Sequence, residues 1–110
     1  MRRLLLLAGC AATLYVTGAE SVQGTSMGVF TVVNGVVRGD RPVYQNGEDK
    51  YLFYWPGTNW WMIGANFGEN IGNVYGAVGA ACPEDTDGWQ VSANGDWSAM
   101  DIEISGQTGG

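Results

Sequence analysis

The stretch "YLFYWPGTNWWMIG", residues 51–64, holds six aromatic residues in fourteen. It reads as two strand-forming runs around Pro56-Gly57-Thr58-Asn59. Folded back about that turn, Trp55 faces Trp60, Tyr54 faces Trp61, Phe53 faces Met62 and Leu52 faces Ile63. Pro56 and Gly57 suit the two central positions of a type II turn, proline presetting φ and glycine accepting a positive one. Upstream, "PVYQ-NGED-KYLFYW" repeats the pattern and pairs Gln45 with Lys50, Tyr44 with Tyr51 and Val43 with Leu52. Residues 42–64 are therefore predicted as a three-stranded antiparallel meander.

Side chains alternate across a sheet. One face of this meander holds Val43, Leu52, Tyr54, Trp61 and Ile63. The other holds Tyr44, Tyr51, Phe53, Trp55, Trp60 and Met62. An antiparallel sheet with one wet face alternates apolar with polar. Here both faces are apolar, so either both are covered or one is left open for a partner. The three aliphatics of the first face make it the expected core. Trp55 and Trp60 flank the Pro56–Asn59 turn, where cover is hardest. They are the expected ligand-binding residues, with Tyr44 and Tyr51 beside them.

The rest of the chain follows the same grammar. Glycine is 18 of 110 residues, and Gly, Asn and Asp punctuate short runs rich in Val, Tyr, Trp and Ile. "FTVV-NG-VVRG" reads as a hairpin about Asn34-Gly35, and "GWQVSA-NG-DWSAMDIEIS" as a last hairpin about Asn94-Gly95. "NVYGAVGAAC" is a strand of small residues approached closely by its neighbours. In "MDIEIS", Met100, Ile102 and Ile104 alternate with Asp101 and Glu103, a half-buried pattern. The expectation is one all-β domain over 27–105, a small antiparallel sandwich or partly open barrel built on the 42–64 meander. Residues 19–26 read as a polar lead-in and 106–110 as a flexible tail.

The N-terminus, "MRRLLLLAGCAATLYVTGAE", has two arginines, an apolar run and small residues before Glu20. That is the layout of a secretory signal peptide over 1–18, and it predicts a secreted or surface protein starting near residue 19. Leu7-Ala8-Gly9-Cys10 also fits a lipobox, and membrane attachment would follow only from a lipidated Cys10 or a retained N-terminal segment. Loss of Cys10 leaves Cys82 as the remaining thiol, whereas a Cys10–Cys82 disulfide requires an uncleaved N-terminus.

The chain has 11 acidic and 5 basic residues, a net −6, and removing 1–18 makes it −8. Such a surface repels nucleic acid. There is no histidine, so the commonest general base and metal ligand are missing. Glu84-Asp85-Thr86-Asp87-Gly88 resembles part of a calcium loop. In EF-hand register, however, Pro83 and Asn94 fall where ligands are needed. Asp101 and Glu103 fit a solvated strand face better than a glycosidase pair. No enzyme, cofactor or metal site is expected. Arg41 is expected to stack on Tyr54.

"RPVYQNGEDKYLFYWPGTNWWMIG", then "CPED" and "GWQVSANGDW", resembles a short all-β module found, often in tandem, in exported proteins of eukaryotic microbes and marine invertebrates. The likeness covers about 28–104, with Asp40 intervening in its Gly-Arg-Pro-Val-Tyr element. The resemblance implies the architecture and export, and no catalytic residue. The sequence thus predicts an exported, non-enzymatic binding or interaction module. A glycan-binding module or a purely structural surface domain are the alternatives, with an unspecified protein or glycan as partner.

Overall fold

The structure is a computed structural model that describes residues 9–107. Nine antiparallel strands follow one another: β1 (Thr13–Thr17), β2 (Gly28–Arg38), β3 (Arg41–Gln45), β4 (Tyr51–Trp55), β5 (Trp60–Gly64), β6 (Val74–Val78), β7 (Asp87–Ala93), β8 (Asp96–Ala99) and β9 (Glu103–Gln107). They form one sheet in the order β8-β7-β6-β5-β4-β3-β2-β1-β9. The two strands at its opposite edges are consecutive in sequence, joined only by residues 100–102. Three residues reach about 10 Å when extended, so the sheet must curl until its edges nearly meet. The result is a half-barrel, all-β as expected.

The concave face is the core. It buries Leu14 and Val16 of β1, Phe30, Tyr44, Leu52, Tyr54, Trp61, Ile63, Val74, Trp89 and Val91, with Ile102 from the β8–β9 link. The β4–β5 register is the predicted one, from Leu52 opposite Ile63 to Trp55 opposite Trp60. The turn between them works differently. Gly57 does not adopt a positive φ; Asn59 does, at 60°. The amides of Thr58 and Asn59 both donate to the Trp55 carbonyl, at 3.2 and 2.9 Å. An asparagine tolerates this left-handed position because its short polar side chain bonds locally. Here Asn59 Oδ1 accepts a 2.6 Å bond from the Tyr54 hydroxyl.

Two expectations are corrected. Tyr44 sits opposite Leu52 and Gln45 opposite Tyr51, one residue off the predicted β3–β4 register. The cause is Asn46, whose Oδ1 accepts from the amides of Glu48 and Lys50 and draws Lys50 into the loop. A one-residue slip turns every side chain to the other face. Tyr44 therefore lies inside with no exposure, and Val43 lies outside.

The second correction concerns Asn34-Gly35, which is no hairpin. β2 runs straight through it, and its register against β3 breaks between Val32, opposite Tyr44, and Val37, opposite Pro42. Five steps on β2 span two on β3, so this is a bulge, with Gly35 at φ 78°. The tight turn lies at Gly39-Asp40, both with positive φ, between Arg38 and Arg41. That is the two-residue type I′ geometry that matches strand twist. The expected hairpin at Asn94-Gly95 is present, with φ 55° and 84° and Ala93 opposite Asp96.

The N-terminal part joins the same sheet. Residues 13–17, read as leader, form β1 between β2 and β9. The lead-in is not free either. Helix α1 (Glu20–Gln23) lies against β7, where Gln23 Nε2 donates to the Ser92 carbonyl at 2.6 Å. Ala19, Ser26 and Met27 are buried. At the other end of the chain, β9 carries regular pairing up to Gln107, so only 108–110 of the expected tail lie outside the described residues. The start of the expected signal, residues 1–8, also lies outside them.

Candidate functional site

The strands that build the core also carry a second apolar face on the convex side. Val43, Phe53 and Met62 are buried there, covered in part by Val36 from the β2 bulge and Phe67 from the β5–β6 loop. Around this small cluster the aromatic rings are half open. Tyr51 meets Phe67 edge-on with centroids 5.1 Å apart, and Phe53 meets Trp55 at 6.4 Å. Trp60, directly opposite Trp55, stacks on Tyr75 of β6 at 4.2 Å. Tyr75 in turn meets Trp97 of β8 edge-on at 4.8 Å. These contacts make one stripe, Trp55–Trp60–Tyr75–Trp97, running across the strands of the outer face. Trp97 is 47% exposed.

Of the four residues nominated from sequence, Trp55, Trp60 and Tyr51 share this face and are half-buried. Tyr44 does not join them. Its hydroxyl donates to the Ala11 carbonyl at 2.7 Å inside the curl. Burial, with Glu84 nearby, holds its phenol above the ordinary range. Tyr75, Trp97 and Arg38 belong to the face and were missed. For Trp97 the signal was legible: it sits two residues past Gly95, on the opposite side from the Val91 and Met100 that mark the core. Tyr75 was hidden in a run of small residues, which lie close to their neighbours as expected. A side chain at Gly76 would overlap Thr86 and Trp89.

Inner and outer aromatics differ in what their polar ends do. Inside, Trp61 Nε1 donates to the Ala80 carbonyl at 2.9 Å, Trp89 Nε1 to the Thr86 carbonyl at 3.1 Å, and the Tyr44 and Tyr54 hydroxyls are both bonded. Outside, Trp55, Trp60, Trp97 and Tyr75 make ring contacts but no hydrogen bond through their side chains among the described residues. Buried indole and phenol groups normally find a partner. Those of the stripe keep theirs for solvent or a ligand, whereas the Tyr51 hydroxyl on the same face accepts from Gln45 Nε2 at 3.3 Å. Trp60, Tyr75 and Trp97 also line an open pocket of about 350 Å³ with Asn70 and Ile71, none of its lining residues charged.

Both arginines near the β2–β3 turn lie on rings at the end of β4. Arg41 is 3.9 Å from the Tyr54 centroid, as expected, and Arg38 is 4.2 Å from that of Trp55. Arg41 Nη1 donates to the Gly39 carbonyl at 3.1 Å. The Arg38 side chain makes no hydrogen bond or ion pair among the described residues.

The acidic run 84–87 is divided. Glu84 turns inward, and its Oε2 accepts from the Ala11 amide at 3.1 Å. Asp85 and Asp87 are exposed. Glu84 lies with Cys10 and Cys82, their ligand atoms within 4.8 Å of one another. The two sulfurs are joined in a disulfide, so neither is a thiolate able to hold a metal. No helix among the described residues is long and apolar enough to cross a membrane.

No family model, no curated protein and no solved structure matches the chain.

Proposed function

We propose that this chain is an exported, non-enzymatic binding module that engages its partner through the outer aromatic stripe. One observation carries the reading: the inner rings Trp61, Trp89, Tyr44 and Tyr54 have bonded polar ends, while the stripe rings Trp55, Trp60, Tyr75 and Trp97 have none bonded among the described residues. A purely structural sheet would be expected to cover such a face or make it polar. Export is supported by the Cys10–Cys82 disulfide, a bond that persists in oxidising compartments. The same bond bears on the N-terminus. Cutting near residue 19 would remove β1 and Cys10, leaving β2 and β9 without the strand between them. Lipidation would occupy the sulfur that the disulfide uses. The exported form proposed here keeps residues 10–18 and uses the Cys10 sulfur in the disulfide.

A glycan is the partner that the pocket favours. Its lining combines aromatic rings with the Asn70 amide and carries no charge, on a chain that is otherwise acidic. Flat rings suit the apolar faces of sugars, and an amide suits their hydroxyls. The test is glycan-array binding by wild type and by a Trp60→Ala/Trp97→Ala double variant, each shown to be folded by near-UV circular dichroism. Binding lost in the folded double variant supports the reading. Unchanged binding removes the stripe from it. No binding to any glycan favours a protein partner or a structural role.

A further inference from the structure

Resting on that reading, we infer that Arg38 extends the stripe into an anion subsite, so that the glycan recognised carries a single acidic group, a carboxylate or sulfate ester, on an otherwise neutral sugar chain. The Arg38 guanidinium is planar and carries five N–H donors around its edge. Lying on Trp55 at 4.2 Å uses its face and leaves the edge in the plane. Its Nε is buried without a partner, and nothing among the described residues bonds the rest. The outward edge is thus held in place by the ring and available for an oxyanion. That edge matches the two oxygens of a carboxylate or sulfate, and little side-chain freedom remains to be lost on binding.

The neighbourhood strengthens the case. Arg41 stands directly opposite Arg38 across the turn. Like charges placed so are unfavourable to the fold. These two residues and Lys50 are the only bases after residue 3, against 11 acids, yet among the described residues neither arginine has an acidic partner. A bound anion would relieve that pairing. The ring under Arg38 is the first of the stripe, so an acidic group held there directs the attached sugar toward Trp60, the partner of Trp55 across the β4–β5 pair. From β2 to β8 the face spans six strand spacings, roughly 30 Å around the curl. That is long enough for a short oligosaccharide. The acidic surface around it sets the limit on charge: each further negative group on the ligand meets repulsion, and the other two bases after residue 3 are engaged elsewhere, Arg41 on Tyr54 and Lys50 with Thr25.

The experiment titrates the full chain with lactose, with sialyllactose, which adds a sialic acid residue bearing one carboxylate, and with sulfolactose, which adds one sulfate ester. Isothermal calorimetry on wild type, Arg38→Gln and Lys50→Gln reads the affinities. Lys50 is the control, since its ammonium lies beside Thr25 Oγ1 at 3.0 Å and its loss changes net charge equally. One charged sugar should bind about tenfold tighter than lactose, the scale of a charge-assisted bidentate contact. That advantage should vanish in Arg38→Gln and survive in Lys50→Gln. Which of the two charged sugars holds it identifies carboxylate or sulfate. Equal affinity for all three overturns the anion subsite and leaves the aromatic face standing. So does an advantage lost equally in both variants, or an aspartate-rich peptide binding as well as the best sugar. If none of the three sugars binds, the subsite is overturned, and the glycan array above decides the face by itself.

Discussion

Trp60 and Trp61 are neighbours in β5 and point to opposite sides of one sheet. Trp61 is fully buried, packs edge-on against Tyr54 at 5.6 Å, and bonds the Ala80 carbonyl through its indole. Trp60 is half-buried and meets Tyr75 and solvent. The difference lies not in residue type but in what lies beyond the sheet. The concave side closes on itself, while the convex side has only the β2 bulge and a loop to cover it. One period-two pattern therefore yields a core and a candidate surface from the same residues.

The largest expected effect is on the closed side. Trp61→Ala should cost about 3–5 kcal/mol in urea unfolding, the usual range for a buried tryptophan, and Trp60→Ala distinctly less. Equal losses would erase the distinction between the faces. Replacing Cys10 and Cys82 together by Ala should cost about 2–5 kcal/mol, because the bond closes a sequence separation of 72 residues and ties the segment before β1 to the turn before β7. A mass of the exported protein that starts after residue 18 would show that this tie is not used in the secreted form.

Tyr44→Phe separates the faces more finely. It removes a bond to the Ala11 carbonyl inside the curl, and should cost about 1–2 kcal/mol. It also changes the alkaline limit. Burial raises the folded-state pKa of Tyr44 above its usual 10.0. The neutral phenol thus stabilises the fold fully below pH 10, and this contribution is lost as pH rises beyond it, when the unfolded chain ionises first. The phenylalanine variant should show a shallower fall in stability above that pH. The smallest effect belongs to the turn that joins the two tryptophans: Asn59→Gly keeps the positive φ but loses the Tyr54 bond, and should shift stability by about 1 kcal/mol or less.

The β4–β5 hairpin was legible because two aromatic runs flank a loop whose length admits one register. β3–β4 was not, since nothing in "NGEDK" announces that Asn46 will bond the amides of Glu48 and Lys50 and absorb one more residue. That single step exchanged Val43 and Tyr44 between faces and cost the candidate site one of its members. Asn34-Gly35 misled for another reason. Valine pairs on both sides supply no alternation, so a hairpin and a bulge look alike there. The turn at Gly39-Asp40 was readable only in three dimensions: a side chain on Gly39 would run into Pro56 and Tyr54. β1 was hidden because its residues satisfy a leader and a central strand equally well. Of the outer face, Trp55, Trp60 and Tyr51 were legible from alternation. Tyr75 and Arg38 were not, since they depend on strands whose register the sequence leaves open.

The strand order also bears on how the chain assembles. Every strand pairs with its neighbour in sequence except at one place, where β9 joins β1. Successive hairpins close short loops and can form as each strand leaves the ribosome, a fast route by the measure of contact distance along the chain. The β1–β9 seam has to wait for the whole polypeptide. Until it forms, β1 presents an unpaired edge, and a second complete chain whose own seam is still open could offer its β9 to fill it. Crowded synthesis of this small protein should therefore yield strand-exchanged dimers before it yields amorphous aggregate.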